Sequence, residues 1–191
     1  KKCESGYKAL AWASTLPQPV VTAVHGHCYT GALELALART ALEQRDDVRF
    51  HASLTPFRHL AFFPDMAPVW EWMRGQLVGK ADAQTLNLFG YTGVGTLALS
   101  ECGPVTHVDA SKKSVAQARE NAALSDATER PVRWLVDDAA KFTAREVRRE
   151  KRYDGIILDP PKFGRGPDGE VWRLEDGLPG LVSDCRRLLD A

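Results

Sequence analysis

The sequence predicts an α/β fold built on an open parallel sheet of about four strands, preceded by a shorter αβα segment. Three observations carry this reading. Thr85–Phe89 reads as a buried strand that breaks into a glycine-rich turn at Gly90, Gly93 and Gly95. Apolar runs of strand length then alternate with segments of helical period as far as Leu158. Three of those strands end in acids: Asp109, Asp137 with Asp138, and Asp159. Ligands of open parallel sheets sit at the carboxyl ends of the strands, so the acids are expected to share one crevice. Asp109, sixteen residues after Gly93, is placed to accept hydrogen bonds from ribose hydroxyls, which points to a nucleoside-containing cofactor.

Composition narrows the function classes. Lys+Arg and Asp+Glu are both 25, so any affinity for nucleic acid has to come from a local patch. Four scattered cysteines without a CxxC pair read as reduced thiols of a cytoplasmic protein, and no metal site is expected. The first residues lack the apolar core of a signal peptide, and no run reaches the length needed to span a membrane.

In chain order, residues 4–16 read as a helix, Pro19–His25 as a β-branched strand, and residues 30–44 as a second helix. Arg45-Asp46-Asp47 is a polar junction, which divides the chain into segments 1–47 and 48–191. After an extended Val48–Leu60 comes a helix with Asp65 as its N-cap, Pro68 in the first turn and Gly79 at its end. Trp70, Met73 and Leu77 form its buried stripe, and Phe62 and Phe63 read as core aromatics, with contact to a ligand as the alternative.

Beyond the glycine turn, Pro104–Val108 is the second strand, and Ser111 caps a helix whose Val115, Ala118 and Ala122 face the sheet. Val132–Val136 is the third strand, a helix follows from Ala139 to about Glu150, and Tyr153–Leu158 is the fourth strand. Asp137 is read either as the N-cap of that helix or as a ligand contact, and Asp138 as a ligand contact. Arg145, Arg148, Arg149 and Arg152 recur at helical spacing and read as a solvated face diluted by Glu146 and Glu150, with a stripe for tracking phosphates as the alternative. The glycine-rich segment GRGPDGEVWRLEDG reads as a mobile substrate loop, ahead of a last helix, LVSDCRRLLDA.

Two family resemblances are carried by these residues. From about Arg49 onward, FRHLAFFPDM, LNLFGYTGVGTLAL, VTHVDASKKSVAQARENAAL, VDDAAKF and YDGIILDPPKFGRG resemble the class I S-adenosylmethionine (SAM) dependent methyltransferases. They look closest to the bacterial 23S rRNA large-subunit group with a DPPKF motif. The resemblance implies a Rossmann-like parallel sheet and SAM as cofactor. It gives Gly90, Tyr91, Thr92 and Gly93 to the methionine part of SAM, Asp109 to the ribose, and Ser111 or Lys112, Asp138 and Ala139 to the adenine, with Phe63, Asn87 and Phe89 as further cofactor-binding residues. It makes Asp159, Pro160, Pro161 and Phe163 the acceptor-side motif and RNA, in particular rRNA, the substrate.

Both N-methylation beside Asp159 and C5 methylation of cytosine stay open, although none of the four cysteines sits where the latter needs its nucleophile. PQPVVTAVHGHCYTGALELALA, within residues 5–44, resembles a crotonase (enoyl-CoA hydratase/isomerase) fragment, with Gly31 at the oxyanion turn. Such a chain reads as a chimera whose methyltransferase sheet is incomplete at its C-terminal side, with Pro19–His25 or a second copy covering the fourth strand. A SAM-binding module without turnover and, more remotely, an acyl-CoA enzyme are the alternatives.

Overall fold

The computed structural model describes residues 48–51, 61, 63–80 and 82–189. The helix, strand and helix read over residues 4–44, the crotonase-like stretch and the pairing of Pro19–His25 all lie outside the described residues. Residues 48–51 and those from Asp65 onward form one compact unit.

Its elements are α1 (Ala67–Leu77), β1 (Thr85–Leu88), α2 (Val94–Leu99), β2 (Val105–Asp109), α3 (Lys112–Leu124), β3 (Val132–Val136), α4 (Ala139–Arg148) and β4 (Gly155–Leu158). A short ribbon, β5 (Phe163–Arg165) and β6 (Val171–Arg173), and the helix α5 (Leu174–Leu188) complete it. The first four strands are parallel in the order β3-β2-β1-β4, and β5 pairs with β6 antiparallel. The chain moves outward from β1 through β2 to β3, then returns to the other side of β1 for β4. The order therefore reverses between β1 and β4, and the crevice over their carboxyl ends is the topological switch point.

All four residues of β1 are buried, as a strand covered on both faces requires. Leu86, Leu88 and Val108 face a core shared with Phe142 of α4 and with Leu181, Cys185 and Leu188 of α5. On α1, Trp70, Met73 and Leu77 are buried as their spacing predicts. Met73 lies against Gly155 of β4, and the Trp70 indole fills the space that a Cβ on Gly95 would occupy. Gly95 thus serves helix packing and not the ligand turn.

Local chemistry moved several boundaries. Asp65 does not cap α1. It lies in a 3-10 turn, Pro64–Met66, and Met66 holds the cap position without a side-chain bond. Pro68 suits only the first helical positions, so the helix begins beyond the reach of Asp65. α4 stops at Arg148 because Glu150 turns left-handed, with φ 55°. β4 begins at Gly155, two residues later than expected. Tyr153 instead anchors the strand's approach: its hydroxyl donates to the buried Glu146 at 3.0 Å and its N–H to the Leu188 carbonyl at 2.8 Å. On the same edge Tyr153 forms a parallel bridge with Leu189.

Candidate active site at the strand ends

The glycine turn is shaped by strain that specific bonds hold in place. Phe89 and Tyr91, either side of Gly90, both take left-handed backbone, with φ 55° and 49°. Each costs a bulky L-residue roughly 1–2 kcal/mol, and such outliers cluster where a ligand is bound. Gly93, at φ 79°, starts α2 from the same region without that penalty. The turn is tied down by Gly90 N–H donating to the Val108 carbonyl at 3.1 Å and by Gly93 N–H donating to the Gly90 carbonyl at 3.0 Å. Asp109 supplies the remaining tie. One carboxylate oxygen accepts from Tyr91 N–H at 2.9 Å and the other from Ser111 N–H at 2.8 Å. Burial raises the Asp109 pKa, and these two bonds partly oppose that shift.

Gly90 rests on a buried imidazole. A Cβ at this position would stand 2.5 Å from His107 Nδ1. His107 Nδ1 lies 2.8 Å from Thr96 Oγ1, which also accepts from Asn87 Nδ2 at 2.9 Å. His107 Nε2 is buried with no partner among the described residues, and burial, with a smaller effect of Arg119, lowers the ring's pKa to about 3. The ring is therefore a neutral prop, stacked at a tilt on Trp134 at 4.8 Å. The sequence offered only a polar residue inside a strand as its signal.

The predicted cofactor residues divide into two groups. Phe89, Gly90, Tyr91, Asp109, Ser111 and Asp138 gather around the carboxyl ends of β1, β2 and β3. Asn87, Thr92, Gly93 and Ala139 are buried: the Thr92 carbonyl accepts from Asn121 Nδ2 at 2.9 Å, and Ala139 belongs to the core around Phe142. Phe63 is exposed and belongs to the other compact unit of the chain. The cap of α4 is Asp138, not Asp137. Asp138 Oδ1 accepts from Lys141 N–H at 2.9 Å, while Asp137 pairs with Arg145.

Asp159 follows β4 and is exposed at the crevice, with partial burial and the charge of Asp65 raising its pKa. The segment behind it is not a loose loop. Phe163–Arg165 pairs with Val171–Arg173, and Trp172 is buried, 7% exposed. The indole Nε1–H of Trp172 donates to the Pro161 carbonyl at 2.7 Å, and its ring meets Phe89 at 5.1 Å. Trp172 thus touches both the glycine turn and the Asp159-Pro160-Pro161 turn. Glu170, paired with Lys141, and Leu174 N–H, donating to the Lys162 carbonyl at 3.0 Å, complete the anchoring.

The arginine stripe sits elsewhere. α4 runs back from the strand ends, so Arg148, Arg149 and Arg152 lie toward the amino ends of the strands, and Arg145 and Arg149 already pair with Asp137 and Glu146. Neither described cysteine is at the crevice: Cys185 is buried in α5 with its thiol pushed up to about 11, and Cys102 follows α2.

A solved SAM-dependent methyltransferase from Agrobacterium tumefaciens superposes with a TM-score of 0.73 at 46% identity, over 75% of this chain and 47% of that one. The fold is that of the class I SAM-dependent methyltransferases, and the sequence is similar to theirs. Within that family it is similar to ribosomal RNA large subunit methyltransferase I of Klebsiella pneumoniae, 35% identical over 86 residues, or 44% of this chain and 21% of the relative. It is also similar to ribosomal RNA large subunit methyltransferase K/L of a Shewanella strain, 31% identical over 136 residues, or 68% of this chain and 18% of the relative. The chain thus spans about one fifth of the length of these curated relatives. No family model matches.

Proposed function

We propose that the crevice over β1 and β4 binds SAM and that the chain takes part in methylating RNA, with a base of ribosomal RNA as the acceptor. The observation that carries this reading is the junction of two turns. The Phe89–Gly93 turn, stitched by Asp109, meets the Asp159-Pro160-Pro161 turn through Trp172.

The donor set fits SAM. Asp109, Asp138, Asp159 and Asp65 make the strand ends anionic, which suits a nucleoside bearing a sulfonium and an ammonium and opposes one bearing phosphates. Each Asp109 oxygen accepts one backbone N–H and keeps further acceptor capacity for a ribose diol. When bound, SAM supplies a methyl group already activated on sulfur. The protein's part is then to hold the acceptor in line with it and to manage the acceptor's proton. Asp159, with its raised pKa, is suited to accept hydrogen bonds from an exocyclic amine, and Phe163, 54% exposed, offers a plane on which the base stacks. A cytoplasmic location is part of this proposal and rests on the similarity to ribosomal RNA methyltransferases; among the described residues no helix is long and apolar enough to cross a membrane. A second copy on the β4 edge is the partner that sedimentation of the full chain would test.

The test is calorimetry with SAM, S-adenosylhomocysteine and acetyl-CoA, followed by tritiated-methyl transfer to 23S rRNA fragments. Binding of the first two, and incorporation that Asp159→Ala abolishes, is the expected result. Preference for acetyl-CoA would overturn the cofactor assignment.

A further inference from the structure

The β5–β6 ribbon has two unlike faces. Cross-strand partners lie on one side of a ribbon, and the pairing sets Gly164 opposite Trp172 on the inner side, where Trp172 is anchored to Pro161. The outer side therefore carries Phe163 opposite Arg173 and Arg165 opposite Val171. All four are exposed, Val171 to 55%, and the exposed Lys162 precedes them. Lys162, Arg165 and Arg173 form no ion pair among the described residues. Of the neighbouring acids, Asp168 lies at the exposed turn of the ribbon and acts on Lys141. Glu170 is held by Lys141, and Glu175 and Asp176 open α5, where a helix start favours negative charge.

Resting on the reading above, we propose that this outer face is a binding surface for single-stranded RNA adjoining the acceptor base. Nucleotides next to the base on Phe163 run along the ribbon toward Arg165 and Val171, with Lys162, Arg165 and Arg173 on their phosphates. Three features favour a single strand. The exposed ring and the Val171 side chain offer planes and apolar area only to unstacked bases. Same-face residues on a strand repeat every ~7 Å, comparable to the step between phosphates of an extended strand. The ribbon is fixed from behind by Trp172, so the surface is ordered before the RNA arrives. Because the chain is neutral overall, phosphate affinity has to come from a local cluster, and this ribbon provides one.

The experiment is fluorescence anisotropy of the full chain with a short labelled single-stranded RNA and with a duplex RNA, across a salt series and without SAM. Arg165→Ala/Arg173→Ala is expected to weaken single-strand binding about tenfold at physiological salt and to reduce the log–log salt slope by about 1.4, two phosphate contacts at about 0.7 each. The matched variant Arg148→Ala/Arg186→Ala, which removes the same charge from the far ends of α4 and α5, is expected to stay within twofold of the parent. Equal loss in both variants, no loss in the ribbon variant, or duplex bound as tightly as single strand would each overturn the proposal. Calorimetry with SAM, run in parallel, reports on the cofactor assignment separately, because the RNA titrations do not depend on it.

Discussion

The buried imidazole beneath Gly90 makes the protein's stability depend on pH in a direction that can be worked out. His107 is fully buried and its pKa is lowered from 6.5 to about 3, chiefly by burial. A histidine depressed in this way is neutral in the folded protein while the unfolded chain takes up a proton below pH ~6.5. Folding stability therefore falls as the pH drops through that range. The gap, at about 1.4 kcal/mol per pH unit, sets a ceiling near 5 kcal/mol, of which about 2 kcal/mol is lost by pH 5. Asp109 and Asp159 act in the opposite sense. Their raised pKa values favour the folded state at low pH, so that contribution is lost as pH rises. Comparison with His107→Gln, which keeps a polar group facing Thr96, cancels those acids. Urea unfolding at pH 7 and pH 5 should show the parent losing about 2 kcal/mol more than the variant. Parallel losses in the two proteins would refute the claim that the ring is held neutral.

Three further outcomes follow from the site. Asp109→Ala removes the acceptor of two charge-assisted bonds; a loss of about 2–4 kcal/mol in denaturant stability and at least tenfold weaker SAM binding by calorimetry are expected, with Asp109→Asn intermediate. Trp172→Phe keeps a ring against Phe89 but leaves the Pro161 carbonyl without its donor, which should cost about 1–2 kcal/mol; a melting curve identical to the parent would mean that the bond anchors nothing. Asp65→Asn should lower the Asp159 pKa in a carboxyl NMR titration, though only in part because burial is the larger cause; an unmoved value would remove Asp65 from the site's electrostatics.

What the sequence disclosed depended on how local the deciding physics was. The third strand, Val132–Val136, is found with the predicted limits, and Ser111 caps α3 by accepting from Ser114 N–H at 3.2 Å, because apolar runs and caps are short-range features. Val115, Ala118 and Ala122 are buried, as the helical period requires. The start of α4 at Ala139 was legible but its cap was less so: two adjacent acids look alike, and Asp138, read as a ligand contact, is the one whose side chain caps the helix. The β5–β6 ribbon was hidden for another reason. Its strands are three residues long and interrupted by Gly164 and charged side chains, so neither strand period nor apolar content marks them. The identity of its anchor, Trp172, emerges only when Pro161 and Phe89 are seen around it.

That anchor also explains how the two halves of the crevice stay in register. Transfer between two bound groups is sensitive to misplacement on the order of 1 Å, so the turn that holds one group has to be fixed relative to the turn that holds the other. β1 and β4 give part of this through their parallel register, Leu88 opposite Leu158. The turns extend beyond that pairing, and Phe89 and Tyr91 are strained enough that the glycine turn would relax if left alone. Asp109 holds it from the β2 side and the Trp172 ring holds it from the β4 side, while the indole N–H fixes Pro161 at the same time. Pro160 and Pro161 have no backbone N–H to contribute, so the turn that carries Asp159 relies on its carbonyls and on the ribbon behind it for its position. A residue outside the glycine turn and outside Asp159–Phe163 thus sets the distance between them.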